Sequence, residues 1–111
     1  MTIIGRVISK KNHKVGRGFF ATSKRYKEFE NDALMQLNAY RERYVGAIGI
    51  YLTFEMKGRL DTDLDNMVTS IIDVLQKKGI IDNDKNIKMI TAVKQSGYKD
   101  WQTHITIKEL K

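Results

Sequence analysis

Between Ala47 and Lys57 the apolar residues fall at every second position: Ile48, Ile50, Leu52, Phe54 and Met56, with Tyr51, Thr53, Glu55 and Lys57 between them. A period of two puts successive side chains on opposite faces of an extended chain, so this segment reads as a strand with one buried face. After an Asp-rich turn the period lengthens. Leu64, Met67, Val68, Ile71, Ile72 and Leu75 are spaced by three and four, the stripe of an amphipathic helix. The helix is expected to begin near Asp63 to Asp65, and Gly79 stands where a left-handed residue closes it. A half-buried strand followed by a helix with a matching apolar stripe calls for layers of sheet and helix.

The remaining segments extend that plan. Thr2 to Ser9, with Ile3, Ile4, Val7 and Ile8, reads as a strand weakened by Gly5. Tyr26, Phe29, Ala33, Leu34, Leu37 and Tyr40 define the buried face of a helix capped by Thr22 or Ser23 and running to about Arg43. Asn86 to Lys94 and Trp101 to Lys108 read as two strands joined in a hairpin with Gly97 at its tip. The order strand, helix, strand, helix, strand, strand predicts a two-layer α+β fold. A mixed sheet of about four strands carries two helices on one face, in a single domain over residues 1–111.

The chain of 111 residues carries 20 Lys and Arg against 13 Asp and Glu, a formal charge of +7. Such a balance favours a polyanionic partner, since neutralising phosphates releases counterions. The bases are dense from Ser9 to Lys27, where Lys10, Lys11, Lys14, Arg17, Lys24, Arg25 and Lys27 occur with no acid. Phe19 and Phe20 lie among them and fit either a stacking role on DNA or core packing. There is no cysteine, which removes disulfides and thiolate metal sites. No apolar run reaches the ~20 residues of a membrane span, and the first residues lack a secretory pattern, so a cytoplasmic location is expected.

The acids are distributed in the opposite way. Asp61, Asp63, Asp65, Asp73, Asp82 and Asp84 make up six of the 13, and only Lys77 and Lys78 lie among them. Two like charges 4 Å apart near a surface repel by about 4 kcal/mol, which a bound divalent cation would offset. A strand–helix–strand unit returns the chain beside its first strand, so Asp84 could face Asp63 and Asp65. Three convergent carboxylates would make a hard oxygen site for Mg²⁺ or Mn²⁺. On a basic protein such an ion suits hydrolysis of a phosphodiester. The structural alternative is that Asp63 or Asp65 only caps a helix and that Asp82 and Asp84 only form a turn. His104 reads as an exposed strand residue, His13 as a residue among lysines that could touch phosphate, and Trp101 as packing or a dimer contact.

The pattern D-L-D-N at 63–66, a helix containing Asp73, then Gly79 and the acidic turn D-N-D-K-N-I at 82–87 resembles the RusA-like Holliday junction resolvases. The resemblance is carried by residues 57–94, and over the N-terminal part by element order and the basic loop. It implies that Asp63, Asp65 and Asp84 bind Mg²⁺ or Mn²⁺ and are catalytic, with Asn66 and Asp73 in support. It implies a homodimer that binds branched, four-way DNA and nicks two opposed strands symmetrically in recombination and repair, leaving 5′-phosphate and 3′-hydroxyl ends. Lys10, Lys11, Lys14, Arg17, Lys24, Arg25 and Lys85 are the expected DNA contacts. One position departs: where the family commonly carries a catalytic lysine, four residues after the second Asp, this chain has Thr69. Lys85, Lys94 or a lysine of the N-terminal loop would then have to stand in. The competing expectations are a non-catalytic nucleic-acid-binding domain of the same fold and a basic RNA-binding α+β domain.

Overall fold

The alternation at 48–57 becomes the spine of the molecule. The computed structural model describes residues 1–9, 18–59 and 62–110, with the backbone alone for 18–23. Its elements are β1 (Thr2–Ile4), α1 (Gly18–Gln36), β2 (Ile48–Lys57), α2 (Leu64–Lys78), a short 3₁₀ turn (Asp84–Asn86), β3 (Ile87–Tyr98) and β4 (Gln102–Glu109). The strands form one mixed sheet in the order β1-β4-β2-β3. β2 runs parallel to β3, with Ile48 opposite Ile87 and Lys57 opposite Tyr98. It runs antiparallel to β4, with Tyr51 opposite Thr106. The expected α+β class and the order β-α-β-α-β-β are both present.

Ile48, Ile50, Leu52, Phe54 and Met56 are all buried on one side of β2, against Met67, Ile71, Val74 and Leu75 of α2 and Tyr26, Phe29 and Ala33 of α1. Each fully buried side chain of this size contributes about 1.5–3 kcal/mol, and this shared face is what holds the helix layer on the sheet. The opposite side is polar. Glu55 pairs with His104 Nε2 at 3.2 Å, and Lys108 lies 5.4 Å from the centre of the Tyr51 ring. No helix among the described residues is long and apolar enough to cross a membrane.

Several expectations are corrected. β1 stops at Ile4, where Gly5 turns with φ 116°, although Val7 and Ser9 beyond it are still buried. α1 starts at Gly18 and ends at Gln36, so Thr22 and Ser23 lie within the helix and not at its start. The expected hairpin does not form, because β2 lies between β3 and β4. Gly97 belongs to β3, where with φ 92° its N–H donates to the Gly58 carbonyl at 2.8 Å. Lys10 to Arg17, with His13, and Asp61 lie outside the described residues.

α2 ends as its sequence requires. Gly79 has φ 82°, its N–H donates to Gln76 O at 3.0 Å, and the Ile80 N–H donates to Leu75 O at 3.0 Å. Gly79→Ala is expected to cost about 1 kcal/mol and lower Tm by about 4–8 °C, since a β-carbon is strained in this conformation. The added carbon would meet the mobile end of Arg43 at 3.3 Å, which can move aside. A thermal melt checks the value.

Candidate active site

The D-L-D-N segment forms the N-terminus of α2. Asp63 is the residue before the helix, with φ −58° and ψ 128°, and its carbonyl accepts the first helical hydrogen bond from Met67 N at 3.2 Å. Its carboxylate makes no capping bond to the backbone. Instead the Asn66 side-chain amide donates toward Asp63 Oδ2 at 3.4 Å. Asp65 follows in the first turn, where its Oδ1 accepts from the Asn66 N–H at 2.9 Å. Both carboxylates are exposed, at the positive end of the helix dipole. The capping alternative for Asp63 therefore does not account for its side chain, whereas Asn66 is placed to orient it.

Thr69, one turn further on, is turned inward on its own helix. Its hydroxyl donates to the Asp65 carbonyl at 3.0 Å. A lysine does reach this end of the molecule from the sheet: Lys94 of β3 donates through Nζ to the Thr62 carbonyl at 3.1 Å, beside Asp63 in the chain. Of the three expected substitutes, Lys94 is the one seen at the Asp63 end. Lys85 is exposed beside Asp84, and Lys10, Lys11 and Lys14 are outside the described residues.

Asp84 is elsewhere. A parallel crossover sets the start of β3 beside the start of β2, while Asp63 follows the end of β2. Asp84 therefore lies past the C-terminus of α2, and the 15 residues of that helix separate its ends by about 22 Å. There it lines a cavity of about 460 Å³ with Glu30, Asp73, Gln76 and Lys77. The expected meeting of Asp84 with Asp63 and Asp65 does not occur within one chain. Among the described residues, no three Asp, Glu or His side chains are grouped closely enough to hold a metal ion.

Asp73 shares the Asp84 cavity. Glu30, unnoticed in the sequence, joins it there from α1. It is buried, receives Lys77 Nζ at 2.8 Å on Oε1 and accepts the Tyr26 hydroxyl at 3.2 Å on Oε2. Burial first, then the charges of Glu30 and Asp73, keep the Tyr26 phenol protonated well above its ordinary range. The signal was a Glu four residues after a core Tyr, on the edge of the buried stripe. Lys24 and Arg25 are exposed on α1, as a phosphate contact requires. Lys11, Lys14 and Arg17 belong to the undescribed segment with Lys10.

The family model for the endodeoxyribonuclease RusA matches residues 5–108. No curated protein matches the sequence significantly.

Proposed function

The chain belongs to the RusA family of endodeoxyribonucleases, and from that premise we propose that it is a divalent-metal-dependent nuclease that resolves four-way DNA junctions by paired symmetric nicks. The observation that carries this reading is the uncommitted pair Asp63 and Asp65, exposed at a helix N-terminus with Asn66 bonded to both. Their oxygen donors suit Mg²⁺ or Mn²⁺, and two carboxylates with a third from elsewhere would hold such an ion. When bound, the ion would supply Lewis acidity for phosphodiester hydrolysis. The chain's own residues do the rest. Asn66 fixes Asp63, and exposed cations such as Lys24, Arg25 and Lys85, with the undescribed Lys10, Lys11, Lys14 and Arg17, neutralise phosphates. We place the protein in the cytoplasm, acting as one domain and as a homodimer in recombination and repair. A two-fold dimer matches a four-armed substrate by presenting two equivalent sites.

The test is incubation of purified protein with a synthetic four-way junction and an equal-length duplex. Mg²⁺ or Mn²⁺ should yield nicks at symmetric positions in the junction, with the duplex spared. Salt-sensitive binding without nicks would favour the non-catalytic reading.

Lys94 takes the part of the lysine that Thr69 lacks in this proposal. Its ammonium, partly buried and held 3.1 Å from the carbonyl preceding Asp63, is preorganised to stabilise charge developing on the phosphate. Lys94→Met is expected to slow nicking on the order of 10²-fold. Junction affinity should change little, and Thr69→Lys in that background should restore part of the rate. Single-turnover assays measure both.

A further inference from the structure

We propose that the cationic pocket beyond the C-terminus of α2, formed by Arg41, Arg43 and Lys78, binds a backbone phosphate of nucleic acid. This rests on the nucleic-acid partner proposed above, not on cleavage, and adds a contact at the end of α2 away from Asp63 and Asp65.

The segment between α1 and β2 is pinned against the residues that follow α2. The Tyr44 N–H donates to Ile80 O at 2.8 Å, and the Asp82 N–H donates to Tyr44 O at 3.1 Å. The Asn86 side-chain amide donates to Val45 O at 3.1 Å. Held in this way, the segment brings Arg41 and Arg43 to a cavity of about 230 Å³, with Glu42, Lys78 and Gly79 also in its wall. The Arg43 guanidinium lies over Gly79, where a β-carbon would stand 3.3 Å from Nη1. Lys78 reaches in from the last turn of α2, and its Nζ donates to the side-chain oxygen of Asn38, a neutral acceptor. A site fixed by its backbone before a ligand arrives loses little freedom on binding.

Three cations in this wall meet one carboxylate. Glu42 is turned to Tyr44, whose hydroxyl donates to Oε2 at 2.7 Å. Among the described residues, Arg41, Arg43 and Lys78 form no ion pair with a carboxylate. The carbonyl end of α2 carries the equivalent of about half a negative charge, which accounts for one neighbouring cation and not for three. Like charges crowded without counter-charges repel, and a bound anion offsets that cost. A phosphodiester matches the donors: arginine grips its two free oxygens in a bidentate fork, and lysine adds a point charge. In the turn after α2, Lys85 and Lys88 are exposed beside the exposed Asp82 and Asp84, so the acids there are matched and the pocket keeps its excess. The formal charge of +7 draws a polyanion more than a small ion. The 15 residues of α2 set the pocket about 22 Å from the Asp63 end. That is about six base-pair steps of duplex, so one arm of a branched DNA spans both ends.

Metal-free binding decides the matter, because it reads the contact without cleavage. A labelled four-way junction is titrated with protein in a chelator over a series of salt concentrations. The double variant Arg41→Ala/Arg43→Ala should bind about tenfold more weakly than wild type, and the slope of log affinity against log salt should shrink by about two. Lys99→Ala/Lys108→Ala removes the same charge from exposed positions elsewhere and should weaken binding far less. Circular dichroism melts establish that both variants are folded. If the two variants weaken binding equally, net charge alone is responsible and the pocket is overturned. Wild type that binds no junction overturns it as well. Wild type that binds in chelator but does not nick with Mg²⁺ or Mn²⁺ removes the nuclease reading, while the affinity comparison still decides the pocket. Calorimetry with pyrophosphate separates the two sources of phosphate. Heat of binding in wild type and none in the arginine variant, together with equal junction affinities, would assign the pocket to a free phosphate compound and overturn the nucleic-acid contact.

Discussion

Asp65→Asn is expected to lower metal-dependent nicking by at least about 10²–10³-fold while leaving the fold intact. The substitution keeps the shape of the side chain and an oxygen able to accept the Asn66 N–H, now 2.9 Å away, but removes the charge that holds a cation. Asp65 is exposed, so the stability of the metal-free protein should move by no more than about 0.5 kcal/mol. Loss of like-charge repulsion with Asp63 makes a small gain the expected sign. The metal's own contribution separates the mutants: an ion at a hundred times its Kd stabilises the native state by about 2.7 kcal/mol, and that increment should vanish in Asp65→Asn. Melts with and without Mn²⁺, run beside the nicking assay, measure both effects. Junction affinity should hold or rise, since a negative charge facing phosphates is removed. Equal nicking by mutant and wild type would remove Asp65 from the site.

Phe54→Ala carries the largest expected effect on stability, about 3–5 kcal/mol. Phe54 is 1% exposed on the central strand, flanked by Thr103 of β4 and Lys94 of β3 in the sheet register. Removing the ring leaves a cavity at the junction of the sheet with the helix layer, with neighbours on both sides fixed by the ladder and unable to collapse inward. Against a typical total of 5–15 kcal/mol, the loss brings the protein close to unfolding at 37 °C. Urea titration should show a lower midpoint with an unchanged slope. A loss under about 1 kcal/mol would mean that the ring is not packed as the structure has it.

Faces were legible in the sequence, and neighbours were not. The period-two run at 48–57 and the helical stripe from Leu64 to Leu75 fix which side chains turn inward, and Gly79 fixes where α2 stops, because each of these signals is local. Strand order is set by pairing between distant segments, and an alternation of Ile and Thr says nothing about which strand lies beside it. The segments 86–94 and 101–108 therefore read as a hairpin, when β2 in fact separates them. The capping residues Thr22 and Ser23 do not mark the start of α1, because the helix already begins at Gly18. The site was half readable. Asp63, Asp65 and Asn66 stand together because they share one helical turn. Asp84 is set apart from them by a reversal contained in the strand–helix–strand order. A parallel crossover brings the returning strand back to the beginning of the first, so a turn before the helix and a turn after it lie at opposite ends.

The sheet also has a temporal side. β1 pairs with β4 alone, Thr2 opposite His104, and the first amino group donates to the Ile105 carbonyl at 2.9 Å. During synthesis β2 and β3 can pair as soon as α2 has folded between them. β1, however, has no seat until residues 102–109 leave the ribosome and slot in beside β2. Until then β1 and the edge of β2 that will receive β4 are both unpaired, so this chain depends on late closure, and a stalled or truncated product would be prone to aggregation.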